Sequence, residues 1–324
     1  MTKAIRIERH GGPEALQYVD VEVGAPGPDE VQLRHTAIGI NYIDVYDRTG
    51  LYPMPLPGGL GREAAGVVLA VGRKVKGFRR GDRVAYVHTA PGAYAEVRNV
   101  PAARLVKVPK SISDEQAAAM MLKGLTAQYL LRRTYRVKRG DWILVHAAAG
   151  GVGLILTQWA RALGARVIGV VGSDAKAQLA RRHGCHHVLV SGRDDLVASV
   201  KKLTKNAGVA VVYDSVGADT FIPSLDCLAP LGMMVTYGNA SGPVPPFSPL
   251  ELSKRGSLFL TRPSLFAYIA QRRDLDAMAR DLFRAVSSRK VKIVIGQRYP
   301  LAEAGQAHAD LEARKTTGST VLIP

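Results

Sequence analysis

Up to Ser111, short runs of alternating apolar and polar residues are broken repeatedly by Gly, Pro and Asp. Period-two runs at 4–7, 31–36, 66–71, 83–87 and 93–97 predict short strands. Gly81-Asp82, just ahead of Arg83, has the chemistry of a tight turn. Many short strands punctuated in this way predict a small barrel or sandwich. From Ser111 the period changes. Ser113-Asp114-Glu115-Gln116 is a capping-box pattern, in which a serine and a glutamine three residues on satisfy each other's backbone. It predicts a helix over 114–122, with a second helical stretch running to about Arg133. The two periods then alternate. Strand patterns at 142–146, 166–171, 187–190, 209–213, 233–237 and 257–261 are separated by helical patterns at 154–163, 175–183, 196–203 and 221–228. Strands spaced by helices predict an α/β fold with a doubly wound parallel sheet, because parallel neighbours need crossovers. The stretch 241–249, with four prolines, reads as irregular loop. After Ser264 a helix (275–288), a strand (291–297), a helix (302–315) and a last strand (321–323) are predicted.

A chain of 324 residues suits two domains. Lys and Arg outnumber Asp and Glu by 44 to 27, leaving a net charge of +17 that attracts anions without naming one. No basic stripe or RNA-binding motif organises the surplus, so nucleic-acid binding is possible but less favoured than a basic enzyme. Cys185 and Cys227 cannot build a disulfide framework and suit a reducing cytoplasm. Residues 1–10 contain no apolar signal core. The apolar stretch 117–131 is interrupted by Lys123 and Gln128, which predicts a buried helix and no membrane contact.

The strand at 142–146 runs into Ala148-Ala149-Gly150-Gly151-Val152-Gly153, and a helix follows at once. This is the G-x-G-x-x-G fingerprint with alanine in the first glycine position. Glycines let the backbone approach a pyrophosphate closely, and the helix behind supplies N–H groups and partial positive charge. Between a strand and a helix, the sextet predicts a dinucleotide site. An NAD enzyme usually ends its second strand on an acid that binds the ribose 2′-hydroxyl. Here that strand ends Val170-Val171-Gly172-Ser173, and Asp174 follows as part of a helix cap and first turn. Lys176, one turn on, can reach a 2′-phosphate. NADPH is therefore the expected cofactor.

The order of these motifs is itself informative. Gly39-Ile40-Asn41-Tyr42-Ile43-Asp44, Gly61-Arg62-Glu63-Ala64-Ala65-Gly66 and Leu122-Lys123-Gly124-Leu125-Thr126-Ala127 precede the glycine turn. Tyr213-Asp214-Ser215-Val216-Gly217 and Thr261-Arg262-Pro263-Ser264 follow it. Over essentially its whole length the chain resembles the medium-chain dehydrogenase/reductase superfamily, and within it the zinc-free quinone oxidoreductases related to ζ-crystallin. The resemblance implies a GroES-like β-barrel domain made of 1–122 and 262–324, with a Rossmann domain inserted at 123–261. It also implies a homodimer joined through the Rossmann sheets, and NADPH in the interdomain cleft beside a quinone. Carried over by motif, the cofactor contacts are Asn41, Tyr46, Tyr129, Gly151, Val152, Ser173, Lys176, Ser215, Gly238, Asn239, Arg262 and Arg314. Their neighbours Gly150, Gly153, Gly172, Tyr237 and Ser264 belong to the same segments. Ser191 is a further expected contact, standing where these reductases often carry a tyrosine; the grip on the 2′-phosphate then falls to Lys176 or Arg193.

In zinc alcohol dehydrogenases the catalytic cysteine would fall near Asn41 and a metal-binding histidine at Arg62, so no metal is expected here. Without a Lewis acid, alcohol oxidation is disfavoured, leaving reduction of an electrophilic acceptor. A quinone comes first and an α,β-unsaturated carbonyl second. Asn41, Tyr46 and Tyr52 are the expected catalytic residues lining the acceptor, with the phenols able to donate to an oxygen gaining charge. Lys123 and Arg262 could add positive charge, although Lys123 could equally be a helix-surface residue. His183-Gly184-Cys185-His186-His187 looks metal-like, but neighbours at the start of a strand point to opposite faces, so ordinary surface placement is expected. Cys227 is expected to be a buried small hydrophobe.

Overall fold

The computed structural model describes residues 1–88 and 90–324. Along the chain come β1 (Thr2–Ile7), β2 (Gln17–Val21), β3 (Glu30–Ile40), α1 (Tyr42–Thr49), β4 (Gly58–Gly59) and β5 (Glu63–Val71). Then follow β6 (Arg83–Val87), β7 (Val97–Pro101), β8 (Leu105–Lys107) and α2 (Asp114–Tyr129). The alternating part comprises β9 (Trp142–Val145), α3 (Gly151–Ala162), β10 (Arg166–Val171), α4 (Asp174–Arg182), β11 (His187–Val190) and α5 (Leu196–Thr204). It continues with β12 (Val209–Asp214), α6 (Phe221–Leu225), β13 (Leu228–Thr236), α7 (Leu250–Lys254), β14 (Phe259–Thr261) and α8 (Leu265–Tyr268). The chain closes with α9 (Arg272–Ser287), β15 (Ile295–Pro300), α10 (Ala304–Glu312) and β16 (Ser319–Ile323).

These elements fall into two units. The first gathers Met1–Leu125, Tyr268–Ser287 and Ile293–Pro324; the second is Thr126–Ala267 with Ser288–Lys292. In the first, a sheet of order β15-β16-β3-β5-β6-β8, with β7 also on β3, encloses a core of Leu33, Ile38, Val84, Tyr86, Leu105 and Leu322. The last strand of the chain, β16, is thus interior, antiparallel to β3 through Thr320↔Ile40. In the second, six parallel strands lie in the order β11-β10-β9-β12-β13-β14, the doubly wound arrangement. Leu144, Ile168, Val212, Phe221 and Met234 fill one face of it. The direction of winding reverses between β9 and β12, which makes the carboxyl ends of those strands the expected ligand crevice.

Several elements depart from the periodicity. Of the run at 93–97 only Val97 enters a strand, as the first residue of β7, and Ala95 makes a single bridge to Ala4. Gly92 turns at φ +126, and the N–H groups of Ala93 and Tyr94 go to Gly61 and Leu60 carbonyls instead of a ladder. The two helical stretches expected up to Arg133 are one helix, α2, ending in a π-type turn at Leu130–Thr134. Gly124 does not break it, because Leu282 fills the space where a Cβ would stand. The strand expected at 291–297 begins only at Ile295, with an irregularity between Ile295 and Gln297. Helix α1 is not visible in the periodicity at all, for it buries Asp44, Asp47 and Arg48. Among the described residues no helix is long and apolar enough to cross a membrane.

Candidate active site

The glycine turn sits at the end of β9, the central strand of the second unit. Ala147 takes φ +50, and Gly150 N–H donates back to its carbonyl at 2.9 Å, closing the turn. Gly150 then caps α3 without a side chain, and the first helical bond runs from Leu154 N–H to Gly150 O at 2.9 Å. The N–H groups of Gly151, Val152 and Gly153 precede that ladder, in the position where a helix offers donors to an anion. A Cβ on Gly153 would stand 2.3 Å from Ala147 O, so only glycine lets α3 close against the turn. On β10, a Cβ at Gly169 would stand 2.8 Å from Ala148 Cβ. This backbone cradle fits a dinucleotide pyrophosphate. Behind it, His146 is fully buried with Nε2 2.8 Å from Ser224 Oγ. Burial lowers its pKa against the pull of Asp214, keeping the imidazole neutral.

At the end of β10, Ser173 caps α4 as expected, its Oγ accepting Lys176 N–H at 3.4 Å. Nothing lies within 4 Å of a Cβ placed on Gly172. Ser191 N–H donates to Val171 O at 2.8 Å, holding the end of β11 beside that of β10. A second cluster forms where β12 and β13 end. Tyr237 N–H donates to Asp214 O at 2.7 Å, and a Cβ on Gly238 would stand 2.4 Å from Ser215 O. Arg262 Nη1 donates to Gly238 O at 3.1 Å, so Ser215, Tyr237, Gly238 and Arg262 come together, with Asn239 beginning the turn to Gly242. Asp214, the last residue of β12, organises this turn by accepting from Val216 N–H at 2.7 Å and Thr220 Oγ1 at 2.8 Å. Ser264 is exposed just ahead of α8, and Tyr129 is buried at the end of α2.

In the first unit, Asn41 caps the start of α1, Tyr46 lies on it and Tyr52 follows it. The Tyr46 ring lies 5.9 Å from that of Tyr42 and 5.2 Å, edge-on, from that of Tyr52. Arg314, exposed with φ +58, is close enough to Tyr42 to oppose the rise that burial gives its pKa. Asn41 starts the helix, its N–H donating to Asp44 Oδ2 at 2.8 Å, while its amide Nδ2 donates to Glu63 Oε1 at 2.8 Å. Glu63 is the residue that sequence reasoning missed. Fully buried, it also accepts from Lys123 Nζ at 3.0 Å and Leu122 N–H at 2.6 Å. Lys123 donates in addition to Ile40 O at 2.8 Å, so it is an interior residue rather than a helix-surface one. Gly39 makes the room, since a Cβ there would stand 2.3 Å from both Glu63 Oε1 and Ala118 O.

Beside this group, Arg62 makes a two-point ion pair with buried Asp47 at 2.7 and 2.8 Å. Asp44 has Oδ1 without a partner; burial, then the Asp47 charge, push its pKa up to about 7 against Asn41 N–H, Tyr94 OH and Arg62. An amide and an ammonium held on Glu63, with a guanidinium held on Asp47, form a donor set that zinc does not fit. The histidine-rich segment is dispersed. His183 Nδ1 lies 2.9 Å from Leu179 O, His186 Nδ1 accepts Val167 N–H at 3.0 Å, and His187 lies against the Trp142 ring. Cys185 is buried, which pushes its thiol up to about 12, and Cys227 is buried in the second core. Among the described residues no group of three or more His, Cys, Asp or Glu could hold a metal.

Comparison with known proteins bears on the whole chain. Residues 27–110 match the alcohol dehydrogenase GroES-like domain and residues 151–283 the zinc-binding dehydrogenase domain. A quinone oxidoreductase of Pseudomonas aeruginosa is 52% identical over the full length of both chains. The crystal structure of Escherichia coli quinone oxidoreductase complexed with NADPH superposes with a TM-score of 0.98 at 50% identity, covering 99% of this chain and 100% of that one. A 2-haloacrylate reductase of a Burkholderia species is 46% identical over 100% of this chain and 99% of its own. A GroES-like unit that hosts a Rossmann unit defines a medium-chain dehydrogenase/reductase. Within that superfamily the chain belongs to the quinone oxidoreductase family.

Proposed function

We propose that this chain is a zinc-independent NADPH:quinone oxidoreductase, acting as a cytoplasmic homodimer. The observation that carries the reading is the β9–turn–α3 cradle, whose Gly151, Val152 and Gly153 N–H groups suit the pyrophosphate of NADPH. Bound NADPH supplies the reducing equivalents. The protein orients the cofactor and acceptor and stabilises charge on the acceptor. Ser173, Lys176 and Ser191 serve the adenosine end, with Gly172 leaving it room. Ser215, Tyr237, Gly238, Asn239, Arg262 and Ser264 form the second wall, and Tyr129 and Arg314 complete the contacts carried over from the family.

The acceptor binds beside nicotinamide in the interdomain cleft that the family pattern implies, lined by Asn41, Tyr46 and Tyr52. A phenol there donates to a quinone oxygen as it gains charge. Glu63 fixes the Asn41 amide, so that this side chain is oriented before any ligand arrives. Dimerisation through β14 is supported by its position at the edge of the sheet and by exposed Phe259 on it.

The reductase of 2-haloacrylate among the relatives favours a second reading, in which the acceptor is an α,β-unsaturated acid or carbonyl. NADPH oxidation with benzoquinones, naphthoquinones, alkenals and 2-chloroacrylate separates the two. Quinone turnover in preference to the alkenes is expected; turnover of alkenes with inert quinones would overturn the first reading in favour of the second.

A further inference from the structure

Past the ends of β10 and β11 stand the two kinds of group that dinucleotide folds use to tell NADH from NADPH. A carboxylate at that place accepts the ribose 2′-hydroxyl, whereas a nearby arginine accommodates a 2′-phosphate. Here the two are joined. Arg193, in the turn after β11, donates from Nη1 to Asp174 Oδ1 at 2.8 Å. The turn is held in place by Val190 N–H, which donates to Asp194 Oδ2 at 2.7 Å, and by Ser191 N–H on Val171 O. Asp194 Oδ1 also lies 3.4 Å from Arg193 Nε, so the guanidinium stands between two carboxylates. Arg193 and Asp174 have side chains 55% and 75% exposed, which makes the pair weak and open to exchange. The short Ser191 side chain and the open space at Gly172 leave the guanidinium accessible from the strand end.

Resting on the reading of the chain as an NADPH enzyme, we propose that Arg193 reads the 2′-phosphate and that Asp174 is its resting counter-ion. On binding NADPH the guanidinium exchanges the Asp174 carboxylate for the phosphate, whose oxygens match its fork of donors. NADH offers a hydroxyl there and leaves the pair as it is. The arrangement places the selecting cation on the third strand's turn and compensates for the absence of an aromatic ring at Ser191.

Calorimetric titration of the full-length protein with adenosine 2′,5′-bisphosphate and with 5′-AMP tests this. Arg193→Ala should weaken the bisphosphate by about tenfold or more while leaving 5′-AMP unchanged, as expected for loss of a charge-assisted contact. Asp174→Asn should tighten the bisphosphate by a few-fold, because the competing anion is gone. Equal affinity of wild type and Arg193→Ala for the bisphosphate would overturn the proposal, and so would an equal loss for both nucleotides. If wild type prefers the bisphosphate and Arg193→Ala keeps that preference, the cofactor reading stands and Arg193 alone is excluded. If wild type does not discriminate between the nucleotides, the NADPH reading falls together with it.

Discussion

The two units prepare their sites by opposite means. In the second, the cradle is main chain: a positive φ at Ala147, a cap without a side chain at Gly150 and a contact at Gly153 that only hydrogen allows. In the first, the site segment rests on interior charges, with Asn41 on Glu63, Lys123 on Glu63, and Arg62 on Asp47. A backbone site tolerates changes in most side chains and fails at single glycines. A site built on paired charges fails when either partner is removed, because the remaining charge stays buried and uncompensated.

The largest effect on cofactor binding should therefore come from Gly153→Val. Its branched side chain would collide with the Ala147 carbonyl, and NADPH affinity should fall by more than about 100-fold, or roughly 2.7 kcal/mol. Fluorescence titration measures this, and an unchanged Kd would show that the turn can reopen. The largest effect on stability should come from Asp47→Ala, which takes the paired carboxylate from the buried Arg62 guanidinium and should cost about 3–5 kcal/mol in urea unfolding. A loss below about 1 kcal/mol, the range of exposed pairs, would mean that the charges of the first unit are far more hydrated than their burial implies.

Asp44 sharpens the contrast through pH. Its folded pKa lies above the unfolded one, so the folded state holds a proton that the unfolded state gives up. Its contribution to stability is complete below the unfolded value and is lost as pH rises through about 7. Buried His35 works in the opposite sense. Burial lowers its pKa to about 4, so its contribution falls as pH drops below the ordinary histidine value. The difference in unfolding free energy between wild type and Asp44→Asn isolates the carboxyl. That difference should decline from pH 4 to 7 and then level off, and a flat profile would rule out the raised pKa. The smallest effect belongs to Ser173→Ala, which removes only the cap of α4 and should cost about 1 kcal/mol in thermal unfolding.

Legibility in the sequence follows the same division. The glycine turn and the Ser173 cap are local codes, written within six and four consecutive residues, and the sheet winding follows from strand–helix alternation. Glu63 is different. Its partners Asn41 and Lys123 are 22 and 60 positions away, and no local pattern tells a buried glutamate in a strand from an exposed one. Helix α1 was hidden for a related reason, since three of the residues it buries are charged and erase the apolar period. Lys123 looked ambiguous because helical spacing gives a face without saying what that face meets.

The position of β16 has a consequence for how the chain is made. On the ribosome, the six-stranded sheet is fully synthesised once Thr261 has emerged, whereas the other sheet must await Ser319–Ile323. Until then β3 is paired along Ile38 and Gly39 only with β5 and lacks β16 on its other edge, and Arg48 lacks Glu312 and His308, to which it binds in the finished protein. The later-starting unit can thus be the first to close, while the earliest-made segment waits with an open strand edge. Emergence of Ser319–Ile323, rather than their stability once folded, then decides when the open edge of β3 ceases to be vulnerable to misassociation.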